Sequence, residues 1–207
     1  MNVLALLSNN HWWKFNSIIV KFILVLFYQF KIGKNFYCEG VPKLRLKGKK
    51  NISIGDNVKI LGNIDLRTRE NGKIVIGDNV KIEENCRFVA AREGKILIGD
   101  GCTIGSNAIW NGGGDILVAE DCIFSARSSI NANEHQMNKN IKIKDQGFNY
   151  GDVRILSDCF FGINISINKN ITINQGVIVG ANSFVNKNLD EFTINAGSPV
   201  KKIKDRI

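Results

Sequence analysis

NISIGDNVKILGNIDL, residues 51–66, returns as KIVIGDNVKIEENCRF at 73–88 and as KILIGDGCTIGSNAIW at 95–110. A fourth copy, DILVAEDCIFSARSSI, occupies residues 115–130. Ile52, Ile74 and Ile96 lie 22 residues apart, and Ile116 follows 20 later. Inside each copy a shorter period runs, with a bulky apolar residue every six positions: Ile54, Ile60, Leu66; Ile76, Ile82, Phe88; Ile98, Ile104, Trp110; Val118, Phe124, Ile130. The period resumes at Ile155 and continues through Phe161, Ile167, Ile173, Val179 and Val185. All 18 positions are bulky and apolar in a chain that is 44% hydrophobic, so chance does not account for them.

A period of six is neither the 3.6 of a helix nor the alternation of a long strand. It describes a short strand, a corner and another short strand, and three such faces close one turn of a triangular prism. The residue four places after each bulky one is small or β-branched, as at Val58, Val80, Cys86, Cys102, Ala108, Cys122, Ser128, Cys159, Val177 and Ser183. Large residues are expected to fill the prism and small ones to sit where its walls crowd. Glycine or another small residue often follows the large one, as at Gly55, Gly77 and Gly99, and Gly or Asn is expected to take positive-φ corners. Cys86, Cys102, Cys122 and Cys159 then read as core residues, neither nucleophiles nor ligands.

This hexad pattern resembles the hexapeptide-repeat acyltransferase superfamily over about residues 50–203. The resemblance implies an all-β fold, a left-handed parallel β-helix, against the usual right-handed crossover. The expected organisation is an N-terminal apolar helix and lead-in over 1–45, then the β-helix over 46–203, interrupted by a long catalytic loop at 133–152.

The chain has two histidines, His11 and His135. His135 stands where the excursion leaves the coil, and imidazole suits proton transfer near neutral pH. A lone histidine is often only a structural donor. However, the chain resembles the branch that O-acetylates sugars, which places its catalytic histidine at this spacing after a coil. The resemblance extends to the ending, where Ala196-Gly197-Ser198-Pro199 forms a turn followed by basic residues. It implies that His135 acts as general base in direct transfer from acetyl-CoA to a sugar hydroxyl. Asn133, Glu134 and Asp152 are candidates to orient the imidazole. The implied cofactor contacts are Ile163 and Ala181 beside the pantetheine arm, then Asn186, Lys187, Lys201 and Lys204 towards the phosphates. The coenzyme is expected between the subunits of a homotrimer, with no metal.

Two departures from the family stand out. Phe160 replaces a common tryptophan, and the acidic acceptor contact of galactoside enzymes is missing from Asn111-Gly112-Gly113-Gly114. A different acceptor is therefore expected, a bacterial surface polysaccharide being the reading, with Asn111 as a substrate contact.

The charge of +9 is partly local, in Lys43, Arg45, Lys47, Lys49 and Lys50 and again in Lys201, Lys202, Lys204 and Arg206. Basic clusters attract polyanions. No aromatic-basic interleaving suggests nucleic acid. Five cysteines without a CxxC pair point away from disulfides and zinc, and towards a reducing cytoplasm. Residues 17–30, SIIVKFILVLFYQF, hold an apolar run shorter than the ~20 residues of a membrane span and are interrupted by Lys21. A helix packed on the fold is the favoured reading, and peripheral contact with the inner face of a membrane the other. The competing functions are an N-acetyltransferase for an amino sugar nucleotide, a β-helix carbonic anhydrase, which needs three histidines, and a non-catalytic scaffold.

Overall fold

The computed structural model describes residues 10–207, with side chains from Trp12 onward. Residues 1–9 of the expected lead-in and the side chain of His11 lie outside the described residues.

The period of six becomes three stacked parallel sheets, one per face of a left-handed parallel β-helix. The first face runs through strands Ile52–Ile54, Lys73–Ile76, Lys95–Ile98, Ile116–Val118, Val153–Ile155 and Ile171–Ile173. The second passes through Lys59–Leu61, Lys81–Glu83, Thr103–Ile104, Ile123–Phe124, Phe160–Phe161 and Ile178–Val179. The third contains Ile64–Thr68, Cys86–Ala90, Ile109–Asn111, Ser129–Asn131, Ser166–Ile167 and Phe184–Val185. Equivalent residues of successive copies pair directly, Ile52 with Ile74 and Ile96 with Ile116. The coil begins earlier than the repeat suggested. Lys31–Ile32, Tyr37–Cys38 and Lys43–Leu46 pair with the strands of the next turn, so part of the expected lead-in already belongs to the helix of strands.

All 18 bulky positions are buried, and the small positions beside them are buried as well. An aromatic ladder fills the middle coils. Phe88 and Trp110 have ring centroids 5.0 Å apart, as do Trp110 and Phe124, and Phe124 stacks on Phe161 at 4.4 Å. Ser128 belongs inside because it accepts the indole N–H of Trp110, at 3.1 Å.

Most positive-φ corners go to Asn or Gly as expected, Gly101 among them, while the glycines directly after the bulky residues do something else. A Cβ on Gly55 would stand 2.7 Å from the backbone of Gly77 one coil on, so these glycines serve close stacking and do not adopt positive φ. The left-handed residues are Asn57 and Asn79, two places later, at φ 58° and 57°. Between them, Asp78 accepts the backbone N–H of Asp56 at 2.7 Å, while the Asn57 amide donates to Asn79 at 3.0 Å. Each letter of the Gly-Asp-Asn motif thus has its own task.

A helix, Asn10–Tyr28, lies across the first coil. Its stripe of Ser17, Val20 and Leu24 is buried. Asn16 donates to the carbonyl of Cys38 at 2.9 Å, Ser17 accepts the Cys38 N–H at 2.7 Å, and Lys21 reaches the carbonyl of Gly33. These side chains satisfy backbone groups on the open edge of the sheet. The opposite face stays exposed, with Ile18 at 68% and Phe22 at 62%. The favoured reading, a packed helix, describes one stripe of it. At the other end, strand Thr193–Ala196 turns at Gly197 and pairs antiparallel with Lys201–Asp205.

All five cysteines are free and buried, including Cys38 in the first coil. Burial pushes the thiols of Cys38 and Cys86 up to about 11. A thiol reagent at pH 8 should therefore label no cysteine in the native protein within minutes and all five after denaturation. Rapid native labelling of any one would contradict the packed interior.

Candidate functional site

The excursion at 133–152 is a β-hairpin arm, not an open loop. Asn133–His135 pairs antiparallel with Phe148–Tyr150, placing His135 opposite Phe148. The Gln146 side chain ties the tip, accepting the N–H of Asn138 at 2.7 Å and donating to the carbonyl of Ile141, also at 2.7 Å. At the root, Glu134 pairs with Lys169 at 3.0 Å, and the Asn133 amide donates to the carbonyl of Gly112 at 2.9 Å.

Gly112-Gly113-Gly114 now has a physical role. The Tyr150 ring lies on Gly113, where a Cβ would stand 2.7 Å from the ring. The Arg92 guanidinium sits 4.1 Å from the centroid of the same ring. The arm is therefore held flat against the third face by a ring packed on a residue without a side chain.

His135 is exposed on this arm, its ring 4.2 Å from that of Phe148. The three candidate orienting groups are engaged elsewhere: Asn133 on Gly112, Glu134 on Lys169, and Asp152 on the N–H of Asp115 at 2.9 Å. The side chain in contact with the imidazole is Phe148, an aromatic neighbour that sequence reading missed.

Phe148 and Tyr150 also wall a cleft of about 230 Å³, together with Asn133, Asn111, Gly112 and three arginines, Arg67, Arg69 and Arg87. Asn111, expected to touch the acceptor, thus lines the cleft beside the arm, and its amide donates to Asn131 at 3.0 Å. The arginines were missed because they occupy outward positions, where lysine and arginine ordinarily face solvent. Their one signal is that Arg45 recurs as Arg67 on the next coil, with Arg87 entering the same face opposite Asp65.

The expected cofactor contacts fall in two places. Ile163 and Ala181 are exposed on successive coils at the corner between the second and third faces. The N–H of Asn182 donates to the carbonyl of Ile163 at 2.9 Å, and Gly162 lies against the Ala181 backbone. Lys201 is close in topology: it pairs with Ala196, which packs beside Gly180. Lys204 lies further along the same strand, opposite Ile194 beyond a bulge. Asn186 and Lys187 sit one corner away, between Phe184–Val185 and Leu189, which bridges to the first face. Phe160, at the departure from the family pattern, is 41% exposed on the second face. Among the described residues no group of three or more His, Cys, Asp or Glu side chains is placed to hold a metal ion.

No family model matches the chain. Among curated proteins, the probable acetyltransferase Rv3034c of Mycobacterium tuberculosis is 29% identical over 93 residues, or 44% of this chain and 31% of that protein. The match thus spans less than a third of that relative. Among solved structures, a variant of AntD, an N-acyltransferase from Bacillus cereus in complex with dTDP and Coenzyme A, is 26% identical with a TM-score of 0.58. It covers 86% of this chain and 84% of its own. A second AntD variant, 25% identical, reaches a TM-score of 0.61 over 90% and 89% of the two chains. The polySia specific acetyltransferase NeuO, 23% identical with a TM-score of 0.52 over 86% and 81%, shares the fold.

These relatives bear out the resemblance to hexapeptide-repeat acyltransferases. The cofactor expected here, a coenzyme A thioester, is of the kind held in the AntD structures.

The seating of the arm can be tested directly. Gly113→Val should expel the Tyr150 ring, so trypsin should cut at Lys139, Lys142 and Lys144 at least several-fold faster while the circular dichroism of the β-helix stays unchanged. An unaltered cleavage rate would mean that something other than Gly113 seats the arm.

Proposed function

We propose that this protein is an acetyl-CoA-dependent acyltransferase that acetylates a hydroxyl of a sugar, in a surface polysaccharide or its precursor, with His135 as the general base. The observation that carries the reading is the arm: it sets Phe148, whose ring packs against that of His135, in the wall of a cleft big enough for part of a saccharide. The similarity to acyltransferases supplies the donor. Ordinary ligand sites begin near ~300 Å³, so this cleft suits one sugar unit of a larger acceptor.

In this reading the Nε2 or Nδ1 atom of neutral His135 takes the proton of the acceptor hydroxyl as its oxygen attacks the thioester carbonyl. The tetrahedral oxyanion is met by backbone N–H groups of the coil, and collapse expels the coenzyme as a thiol. Transfer is direct, because the cysteines are buried in the prism. Ile163 and Ala181 border the pantetheine amides, and Lys201, Lys204, Asn186 and Lys187 meet the phosphates. Three copies assemble with the coenzyme between them. The exposed neighbours Ile123 and Phe160 on the second face supply apolar surface for such a contact.

The AntD likeness favours a second reading, transfer to an amine of a sugar nucleotide. The arginines of the cleft would repel the ammonium of an amino sugar but attract the diphosphate of its nucleotide, so the acceptor atom, not the charge of the cleft, separates the two readings. Turnover of acetyl-CoA, followed by thiol release over matched hydroxyl and amino sugars, decides between them. His135→Ala should lower transfer by about 10²-fold or more, with coenzyme affinity unchanged by calorimetry. Undiminished transfer would remove His135 from the mechanism, and preference for the amine would overturn the hydroxyl.

The exposed face of the helix carries a further part of the proposal. No described helix is long and apolar enough to cross a membrane. Phe15, Ile18, Phe22, Leu26 and Phe27 are nonetheless more than half exposed, and the exposed basic residues Lys43, Arg45, Lys47, Lys49 and Lys50 lie in the coil beneath. Apolar side chains beside positive charge fit the surface of an anionic bilayer, at the cytoplasmic face where acetyl-CoA is found. The protein should co-sediment with vesicles containing about a third phosphatidylserine and not with neutral ones, and Phe22→Glu with Leu26→Glu should release it. Retention of the double variant, or self-association through the helix without lipid, would sink the membrane contact.

A further inference from the structure

We infer that the acceptor is acidic: Arg67, Arg69 and Arg87 form a subsite for a carboxylate or phosphate carried by the sugar. This rests on reading the cleft as the acceptor site. It names the ligand chemistry that the sugar reading leaves open.

Charge is the first argument. Three guanidinium groups line the cleft. Arg67 is spoken for, since its Nε and Nη2 atoms grip Asp65 in a bidentate pair, at 2.9 and 2.5 Å. That grip holds the Asp65 carboxyl below the usual carboxylate range. Asp65 is the residue opposite Arg87 in the sheet register, so the carboxylate best placed to neutralise Arg87 is already committed. Among the described residues neither Arg69 nor Arg87 has a carboxylate within 4.0 Å. The cleft keeps two uncompensated positive charges.

The second argument is an orphaned donor. The Nε–H of Arg87 is buried and has no hydrogen-bond partner. Native structures seldom leave a buried donor unmade, because desolvation is then uncompensated. A guanidinium presents its Nε–H and one Nη–H as a parallel fork, and that fork matches two oxygens of a carboxylate or phosphate. An oxyanion in the cleft would take both once the Arg87 side chain turns towards it, since the Nε–H as it stands is closed to solvent. A neutral sugar hydroxyl would satisfy one donor at most and leave the charge unmet.

The remaining lining suits the sugar that carries this anion. Asn111 and Asn133 offer amides for hydroxyls, and the rings of Phe148 and Tyr150 offer faces for the C–H side of a pyranose. The anion would be held by the rigid third face and the ring by the hinged-on arm. Its hydroxyl would then lie beside Phe148, which touches His135.

The test uses the full chain and reads binding, not turnover. Glucose, glucuronic acid and glucose 1-phosphate are titrated into the wild type, Arg87→Ala, Arg87→Lys and Arg69→Ala by calorimetry or saturation-transfer NMR. At least one charged sugar should bind about tenfold or more tightly than glucose, and which one wins assigns carboxylate or phosphate. Arg87→Ala should erase that preference without altering coenzyme A binding. Arg87→Lys, which keeps charge but loses the fork, should recover part of it. Arg69→Ala, an exposed position with no structural burden, gives a second reading should Arg87 variants misfold. Equal binding of the three sugars, or a preference that survives both alanine variants, overturns the inference. Because turnover is not read, a chain that binds the acidic sugar and transfers nothing would sink the transferase reading alone.

Discussion

The spacing between coils at the Gly-Asp-Asn corner constrains everything else in this molecule. Gly55 lies so near Gly77 that no side chain fits between them, and the neighbouring Asp and Asn make their bonds from one coil to the next. The corner therefore fixes rise and register together. Given that spacing, each face pairs strand on strand, and inward residues of equivalent positions are forced into contact. That is why Phe88, Trp110, Phe124 and Phe161 form one continuous ladder and why Cys102, Cys122 and Cys159 recur at the narrow positions. A slip of one residue would turn the bulky side chains outwards.

Such a frame is stiff, and stiffness is useful where reacting groups must be held in place. The frame itself presents only repeated, shallow faces. The departure that breaks this monotony is the arm, and it works because the third face was levelled for it at Gly112–Gly114. Residues distant in sequence, Arg67, Arg87, Asn111, Phe148 and Tyr150, become neighbours because coils stack and one hairpin folds back. The regular part provides position and the irregular part provides enclosure.

Much of this was legible in the sequence, for identifiable reasons. Interior positions obey packing, and packing leaves a period; hence the faces, the buried cysteines and the break at 133 were all readable. The first coil was overlooked although Ile32, Cys38 and Leu44 keep the period of six. In an end coil the usual size rule relaxes, and Phe36 takes a position that elsewhere holds a small residue, because a helix and not another coil covers it. Outward positions obey no such rule. Nothing in the spacing separates Arg87, with its buried Nε, from the solvated Lys59 or Lys73. The cleft exists only once the arm is seated, and seating depends on a ring meeting a glycine 37 residues away in sequence (150 less 113). Likewise, the orienting role considered for Asn133, Glu134 and Asp152 followed from proximity in sequence, whereas their bonds go to the coil.

The two ends of the stack have a consequence of their own. A parallel β-helix is by construction an unfinished object: each terminal coil offers unpaired N–H and C=O groups to whatever arrives next, and the best-fitting arrival is another copy of itself. Here Asn16, Ser17 and Lys21 occupy the first edge, while on the second face the last parallel strand is crossed by Lys201–Asp205, which runs antiparallel and cannot template a further turn. The coil is thus stopped at both ends, by a helix and a hairpin that belong to no repeat.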